Sequence, residues 1–417
     1  MNQLLMKYIH RMFYKTLTYM LRIFRFFFLN TDSLTDDLSS KHLSIECKLR
    51  EILTTDNEVV DVLLLGPEAS SKSMVYNQIK LLKGEGFSKL HRLEARSLIC
   101  IEVMHVLQLI FKMFKSENIV LPKTLKAAQD YIESLTVHDN VEYEAKFFES
   151  VSAIGNSPTF VNFVKRKTST DLPAAIYYVD LMCQSSFEFT KYLPSDQDLV
   201  RLKLNNGIHQ LNFCSKNRRF KLINIVNTID HSKKWAMFFS NTHTIMLCVD
   251  SASFDIPCEP RNRDLLTESL MIFTFIWRSK HILNVPIIIL FNQQEILLEK
   301  ICVENVNLAL YFPEFTNFNM DKCIPDTRNE PVYKQFSRNY PHLNLVKYLE
   351  ARLFIRDKFI RITQDDRYKE VNDKISNPNL RIFCHYLISY NTPIMRATLR
   401  NCIDDIILYN LEKIHYQ

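Results

Sequence analysis

The sequence predicts an α/β fold, a doubly wound and mostly parallel sheet with an all-helical block inserted near its start. Three observations carry this reading. Apolar strands alternate with helical stretches from about residue 210 onward, the pattern of a parallel sheet covered by helices. Residues 88–190 instead hold long helical patterns with few strand signals. The segment LLLGPEASSKSM, Leu63 to Met74, sits between an apolar strand and a helical stretch.

Taken in order, residues 36–56 carry a helical pattern rich in Glu, Lys and Leu, and Val59 to Leu65 is a short apolar strand. Val75 to Lys83 has helical spacing. The helical block contains four stretches, Leu93 to Lys115, Thr124 to Leu135, Tyr143 to Ser152 and Leu172 to Phe187. Five further strands are expected at Gln210 to Phe213, Phe220 to Ile225, Thr244 to Val249, Pro286 to Phe291 and Leu380 to Leu387. The chain closes with a helix over about Thr398 to His415.

Composition narrows the function classes. A chain of 417 residues with 47% hydrophobic content is long enough for two packed domains. It holds five glycines, where average usage of about 7% would give roughly 29. Ten cysteines form no CxxC pair and no His/Cys cluster at zinc spacing, so neither a metal site nor a disulfide framework is implied, and a reduced intracellular compartment fits. The net charge of +6 is spread without a long basic run, so no nucleic-acid partner is indicated.

Charge is concentrated only at the N-terminus. Residues 1–30 lack acids, and Lys7, Arg11, Lys15, Arg22 and Arg25 fall within roughly 80° on a helical wheel. The remaining circumference is mostly Leu, Met, Ile, Tyr and Phe, the make-up of a helix lying in the plane of an anionic membrane surface. A targeting peptide and a partner-packing helix are the other two readings. No charge-free apolar run approaches the roughly 18 residues of a spanning helix.

LLLGPEASSKSM nearly spells the phosphate loop GxxxxGK[ST], with Ser71 where the second glycine belongs. Such a loop works because glycines let backbone N–H groups surround phosphates, while the lysine neutralises charge and the hydroxyl binds Mg²⁺. Lys72 and Ser73 keep those two roles open.

Further words extend the match. YLPSDQDLVRLKLNNGI (Tyr192 to Ile208) resembles D-[VI]-L-R-x-R-V-x-T-T-G-I, the first switch of the α subunits of heterotrimeric G proteins. FKLINIVNTIDHSKKW (Phe220 to Trp235) resembles the second switch of that family, F-x-x-x-D-V-G-G-Q-R-x-E-R-K-K-W. TESLMIF (Thr267 to Phe273) is similar to its H-E-S-M-x-L-F helix, and ILFNQQEIL (Ile289 to Leu297) stands where its N-K-x-D guanine-reading strand lies. Phe383 to Leu411 follows its T-C-A-T segment and C-terminal helix without a gap. The resemblance covers roughly residues 37–417.

It implies a P-loop GTPase-like fold in these parts: an N-terminal extension (1–31), an N-terminal helix (32–56), a first GTPase-like part (57–87), the helical insert (88–191) and a second GTPase-like part (192–417). It also implies GTP/GDP and Mg²⁺ as ligands, a βγ dimer and a G-protein-coupled receptor as partners, and the cytoplasmic face of a membrane, the plasma membrane first, as location. The nucleotide-binding positions carried over are Gly66, Glu68, Ala69, Ser70, Ser71, Lys72, Ser73, Met74, Asn227, Asn292, Gln293, Glu295 and Ser389.

Departures from the pattern are concentrated in the chemistry. Glu68 stands where the family has glycine beside the terminal phosphates, and like charges about 4 Å apart cost about 4 kcal/mol at an effective dielectric near 20. Ser71 adds a Cβ where backbone must approach closely. The family's catalytic arginine and water-positioning glutamine align with Lys203 and Thr228, so the catalytic pair is degenerate and hydrolysis is expected to be slow or absent.

The Mg²⁺-binding threonine falls at Asn205 or Asn206, since the segment is one residue short; Ser73 and Asn206 are the metal candidates. The metal-associated acid is Asn224, and the phosphate-sensing glycines are Val226 and Asn227. In base reading, Gln293 replaces the lysine, Glu295 the aspartate, and Ser389 the alanine of T-C-A-T. The arginine that would reach Glu268 is replaced by Ser232.

Anchoring differs as well. Asn2 follows Met1 and the first cysteine is Cys47, so the basic helix would take the place of acylation. The ending Ile414-His415-Tyr416-Gln417 lacks the family's apolar terminus, which bears on receptor use. The expected function is a Gα-like transducer with weakened GTP binding and hydrolysis. The alternative is a pseudo-GTPase scaffold that holds βγ or a receptor without a GTP cycle.

Overall fold

A computed structural model describes residues 59–67, 71–136, 144–166, 173–184, 187–226, 235, 238–258, 263–320, 330–365 and 381–415. The basic extension, the 36–56 helical pattern, Glu68, Ala69, Ser70 and most of the second switch, including Asn227, Thr228 and Ser232, lie outside the described residues.

The central sheet has six strands, β1 (Val60–Leu65), β2 (Gly207–Ser215), β3 (Arg218–Val226), β4 (Thr244–Asp250), β7 (Ile287–Asn292) and β8 (Ile382–Tyr386), in the order β2-β3-β1-β4-β7-β8. A separate ribbon pairs β5 (Pro257–Cys258) with β6 (Arg263–Asp264). β3, β1, β4, β7 and β8 run parallel, and β2 folds back antiparallel on β3. Every residue of β4 and β7 is buried, as central strands covered on both faces require. All five predicted strands after residue 210 form. The parallel strands all end toward one edge, where α/β sheets bind ligands.

Twelve helices are described: α1 (Lys72–Lys83), α2 (Lys89–Ser116), α3 (Lys126–Ser134), α4 (Ala145–Gly155), α5 (Pro158–Arg166), α6 (Pro173–Met182), α7 (Asp196–Arg201), α8 (Leu265–Arg278), α9 (Gln294–Leu298), α10 (Pro331–Asn339), α11 (Leu345–Gln364) and α12 (Thr392–His415). α5 is an addition to the sequence expectation; it buries Phe160 and Phe163, three residues apart, in the helical core. α6 ends at Met182, short of the expected Phe187.

Two hydrophobic cores form. One surrounds the sheet and includes Leu63, Leu64, Ile79, Leu247, Ile289, Phe291, Trp277 and Phe354. The other is built within residues 95–202, around α2. That helix is capped by Ser88, whose Oγ accepts from His91 N at 3.2 Å, and it buries Ile99, Val103, Leu107, Ile110 and Phe114 at helical spacing. α2 is long and apolar enough to cross a membrane, yet this stripe is what the second core packs on. Each fully buried Leu, Ile or Phe contributes roughly 1.5–3 kcal/mol, so both cores are substantial. The chain passes between them over Leu202, Lys203 and Leu204: Leu202 belongs to the helical core and Leu204 packs against the sheet core.

Candidate functional site

β1 delivers the chain to the sheet edge at Gly66, whose φ of 151° lies where glycine is favoured. Beyond the loop, Ser71 caps α1 without a side-chain bond to the helix. Both its backbone N and its Oγ instead donate to Asp250 Oδ2, at 3.0 and 3.1 Å. Lys72 is 3% exposed, and its Nζ donates to Gly66 O at 2.8 Å. Ser73 Oγ accepts from Leu204 N at 3.2 Å, and Met74 Sδ accepts from Ser389 Oγ at 3.5 Å.

The base-reading positions reach the same carboxylate. β7 ends at Asn292, which is buried; its Nδ2 donates to Ser389 Oγ at 3.1 Å and to Asp250 Oδ1 at 3.4 Å. Its Oδ1 accepts from Ser389 N at 2.9 Å. Gln293 adopts a left-handed conformation, φ 58° and ψ 38°, and its Nε2 donates to Asp250 Oδ2 at 3.1 Å. Gln294 and Tyr348 brace the turn from behind, Tyr348 OH donating to Gln294 Oε1 at 2.7 Å and Gln294 Nε2 to Ser251 Oγ at 2.9 Å.

Glu295 lies in the first turn of α9, and its Oε2 is buried with no hydrogen-bond partner among the described residues. Burial, opposed by a bond from its own backbone N–H and reinforced by the carboxylates of Asp250 and Glu299, pushes this carboxyl up to about 8. At neutral pH it is largely protonated and offers one donor and one acceptor in place of the two acceptors that guanine's N–H groups need.

The first-switch segment divides in two. Its first half is tightly held. Ser195 and Asp198 form a capping box on α7, and the buried Asp198 also accepts from Tyr177 OH at 2.7 Å and Tyr192 OH at 2.8 Å. Burial first, and then this carboxylate, pushes the Tyr177 phenol up to about 12. Asn77 of α1 reaches across with its Nδ2 to the carbonyls of Leu199 at 3.0 Å and Leu202 at 2.9 Å. The Arg201 guanidinium lies over the Tyr177 ring at 4.3 Å and the Tyr390 ring at 4.9 Å, joining the helical block to the loop after β8. In the second half, Lys203, Asn205 and Asn206 are exposed, and the side chains of Lys203 and Asn206 make no hydrogen bond among the described residues.

Asn224, third from the C-terminal end of β3, is 0% exposed, and neither its Oδ1 nor its Nδ2 finds a partner among the described residues. The oxygens offered where Mg²⁺ would sit, those of Ser73, Asn206 and Asn224, are therefore all neutral, whereas a hard dication in such a site is held through carboxylate and phosphate oxygens. Among the described residues no three His, Cys, Asp or Glu are grouped to hold a metal. The residues present do not fit Mg²⁺, and the Ser71 donors that would face a phosphate are already bonded to Asp250. On α8, Glu268 has the guanidinium of Arg263, a cation from its own segment, 3.7 Å away.

The structure thus brings together Gly66, Ser71, Lys72, Asn292, Gln293 and Ser389, with Ser73 and Met74 alongside. It leaves Lys203 and Asn206 on the surface. Asp250 went unnoticed in the sequence because an acid closing an apolar run reads as a strand end; the signal was that TIMLCVD is followed by Ser251 and Ala252, which give no turn-forming glycine or proline.

The model of the G-protein alpha subunit family matches residues 39–407. The chain is 27% identical over 395 residues to the G(s) subunit alpha of Geodia cydonium, spanning 92% of this chain and 97% of that protein. It is 25% identical over 365 residues to the human G(olf) subunit alpha, spanning 84% and 87%. Against the G(s) subunit alpha of Schistosoma mansoni it is 24% identical over 360 residues, spanning 83% and 86%.

Proposed function

Because this chain belongs to the G-protein alpha subunit family, we propose that it is a signal transducer whose guanine-nucleotide binding and hydrolysis are weakened, coupling a G-protein-coupled receptor to effectors with a βγ dimer. The observation that carries the weakened cycle is that donors of the phosphate-loop and base-reading positions are engaged within the chain. Lys72, Ser71 and Asn292 spend their donors on Gly66, Asp250 and Ser389, so a nucleotide must break bonds that already exist. Hydrolysis suffers further, since Lys203 lacks the planar fork of arginine and Thr228 cannot position water as glutamine does.

The acid-free, basic and apolar sequence pattern of residues 1–31 supports a place at the cytoplasmic face of a membrane, the plasma membrane first, with cationic side chains on anionic lipid. GTP/GDP remains the ligand class of the proposal, without a resident Mg²⁺.

A second reading, a pseudo-GTPase scaffold that holds βγ or receptor with no GTP cycle, is favoured by Asn224, whose neutral amide replaces an acid in a position without water access. One experiment separates the two. Full-length protein is purified, denatured and assayed for released nucleotide, then titrated with a labelled GTP analogue with and without Mg²⁺; expressing cells are fractionated in parallel. Weak, Mg²⁺-insensitive binding and a membrane-bound chain are expected. Stoichiometric GDP with Mg²⁺-dependent hydrolysis removes the weakened cycle, no binding at millimolar GTP selects the scaffold, and a wholly soluble chain removes the membrane assignment.

A further inference from the structure

Four donors from two distant parts of the chain converge on one buried carboxylate. Ser71 N, Ser71 Oγ and Gln293 Nε2 share Asp250 Oδ2 at 3.0, 3.1 and 3.1 Å, and Asn292 Nδ2 lies 3.4 Å from Oδ1. Asp250 is 3% exposed at the end of β4, the strand between β1 and β7, so it stands midway between the phosphate-loop side and the base-reading side. Acceptance of three donors by a single oxygen is the behaviour of an ionised carboxylate. The Ser71 N–H belongs to the cap of a twelve-residue helix, α1, whose positive end favours an anion.

We infer that Asp250 is an internal anion occupying the position at the start of α1 that a nucleotide phosphate would take, and that it competes with phosphate for Ser71. This deepens the weakened-cycle reading and rests on it: the site is closed by a residue of the chain itself. The carboxylate does in one place what a bound nucleotide does by its length, since it joins the start of α1 to Asn292 and Gln293. Its strand position fixes the backbone from which the bridge is made, because Asp250 pairs with Asn292 in the β7 register. A ligand phosphate can enter only when the Asp250 side chain leaves.

The test compares the full-length chain with Asp250→Ala and Asp250→Asn, using GDP in equilibrium dialysis and inorganic pyrophosphate in thermal melts. Both variants are expected to bind GDP about tenfold or more tighter than the natural chain, the ratio for an internal occupant that leaves its position free roughly one-tenth of the time. Pyrophosphate should raise the melting temperature of the variants and leave that of the natural chain in place. Asp250→Asn keeps the side-chain volume and decides the matter if alanine disturbs the fold. GDP affinity of a folded Asp250→Asn within about threefold of the natural chain overturns the inference, as does an equal pyrophosphate shift in all three proteins. This outcome depends only on the ratio between variant and natural chain, whereas the weakened cycle stands or falls on the natural chain's own binding and hydrolysis.

Discussion

Asp198 and Lys203 lie on the same short stretch of chain, and the fold treats them in opposite ways. Asp198 is buried, caps α7 and gathers two tyrosine hydroxyls, while Asn77 and Arg201 fasten its neighbours to α1, Tyr177 and Tyr390. Lys203, at the position of the catalytic arginine, is an exposed side chain with no such support. A transition-state group must be held rigidly to act, because preorganisation is the source of its effect. The difference therefore separates two duties that the segment performs together in a working GTPase. The contacts that close the helical block onto the sheet are built in full, and the side chain of Lys203 is left without any among the described residues.

The largest expected effect comes from the built half. Asp198→Ala leaves two half-buried hydroxyls without their acceptor and removes the capping box, a loss of roughly 2–4 kcal/mol, visible as a large fall in denaturation midpoint and early proteolysis between residues 190 and 206. A midpoint close to that of the natural chain would show that the seam is not what holds the halves together.

A smaller effect is expected at the base-reading position. The Glu295 carboxyl is raised from its ordinary value of 4.5 to about 8, so its contribution to stability is complete below about 4.5 and is lost as pH rises through 8. Glu295→Gln should melt with the natural chain near pH 5 and a few degrees above it near pH 9, by scanning calorimetry at both values. A melting difference that does not change with pH breaks the assignment.

The smallest effect is at Lys203. Lys203→Ala should alter stability by less than about 0.5 kcal/mol and leave the rate of GTP hydrolysis unchanged in a single-turnover assay. A clear drop in hydrolysis would mean that Lys203 acts in catalysis despite its exposure, and the contrast with Asp198 would fail.

The sheet was legible because apolar runs such as Thr244 to Val249 and Pro286 to Phe291 can be buried on both faces only in a central position. The family was legible through words that include Lys72, Ser73 and Asn292, which keep their spacing. What could not be read was where donors go once their usual acceptor is lost. Asn77 looks in sequence like any polar residue of an amphipathic helix, and nothing local shows that it faces the carbonyls of Leu199 and Leu202. The convergence of Ser71, Asn292 and Gln293 on Asp250 spans separations of up to 179 residues, and only the assembled sheet edge reveals it.

The bond between Ser71 and Asp250 also bears on the route back to a family-like loop. Glycine at 71 alone would withdraw one donor from a buried carboxylate. Alanine at 250 alone would strand the Ser71 and Gln293 donors in a buried place, at about 1–3 kcal/mol for each unsatisfied group. Either single step is penalised while the other residue stays, so the two positions are energetically coupled, and changing both together costs less than the sum of the two single changes.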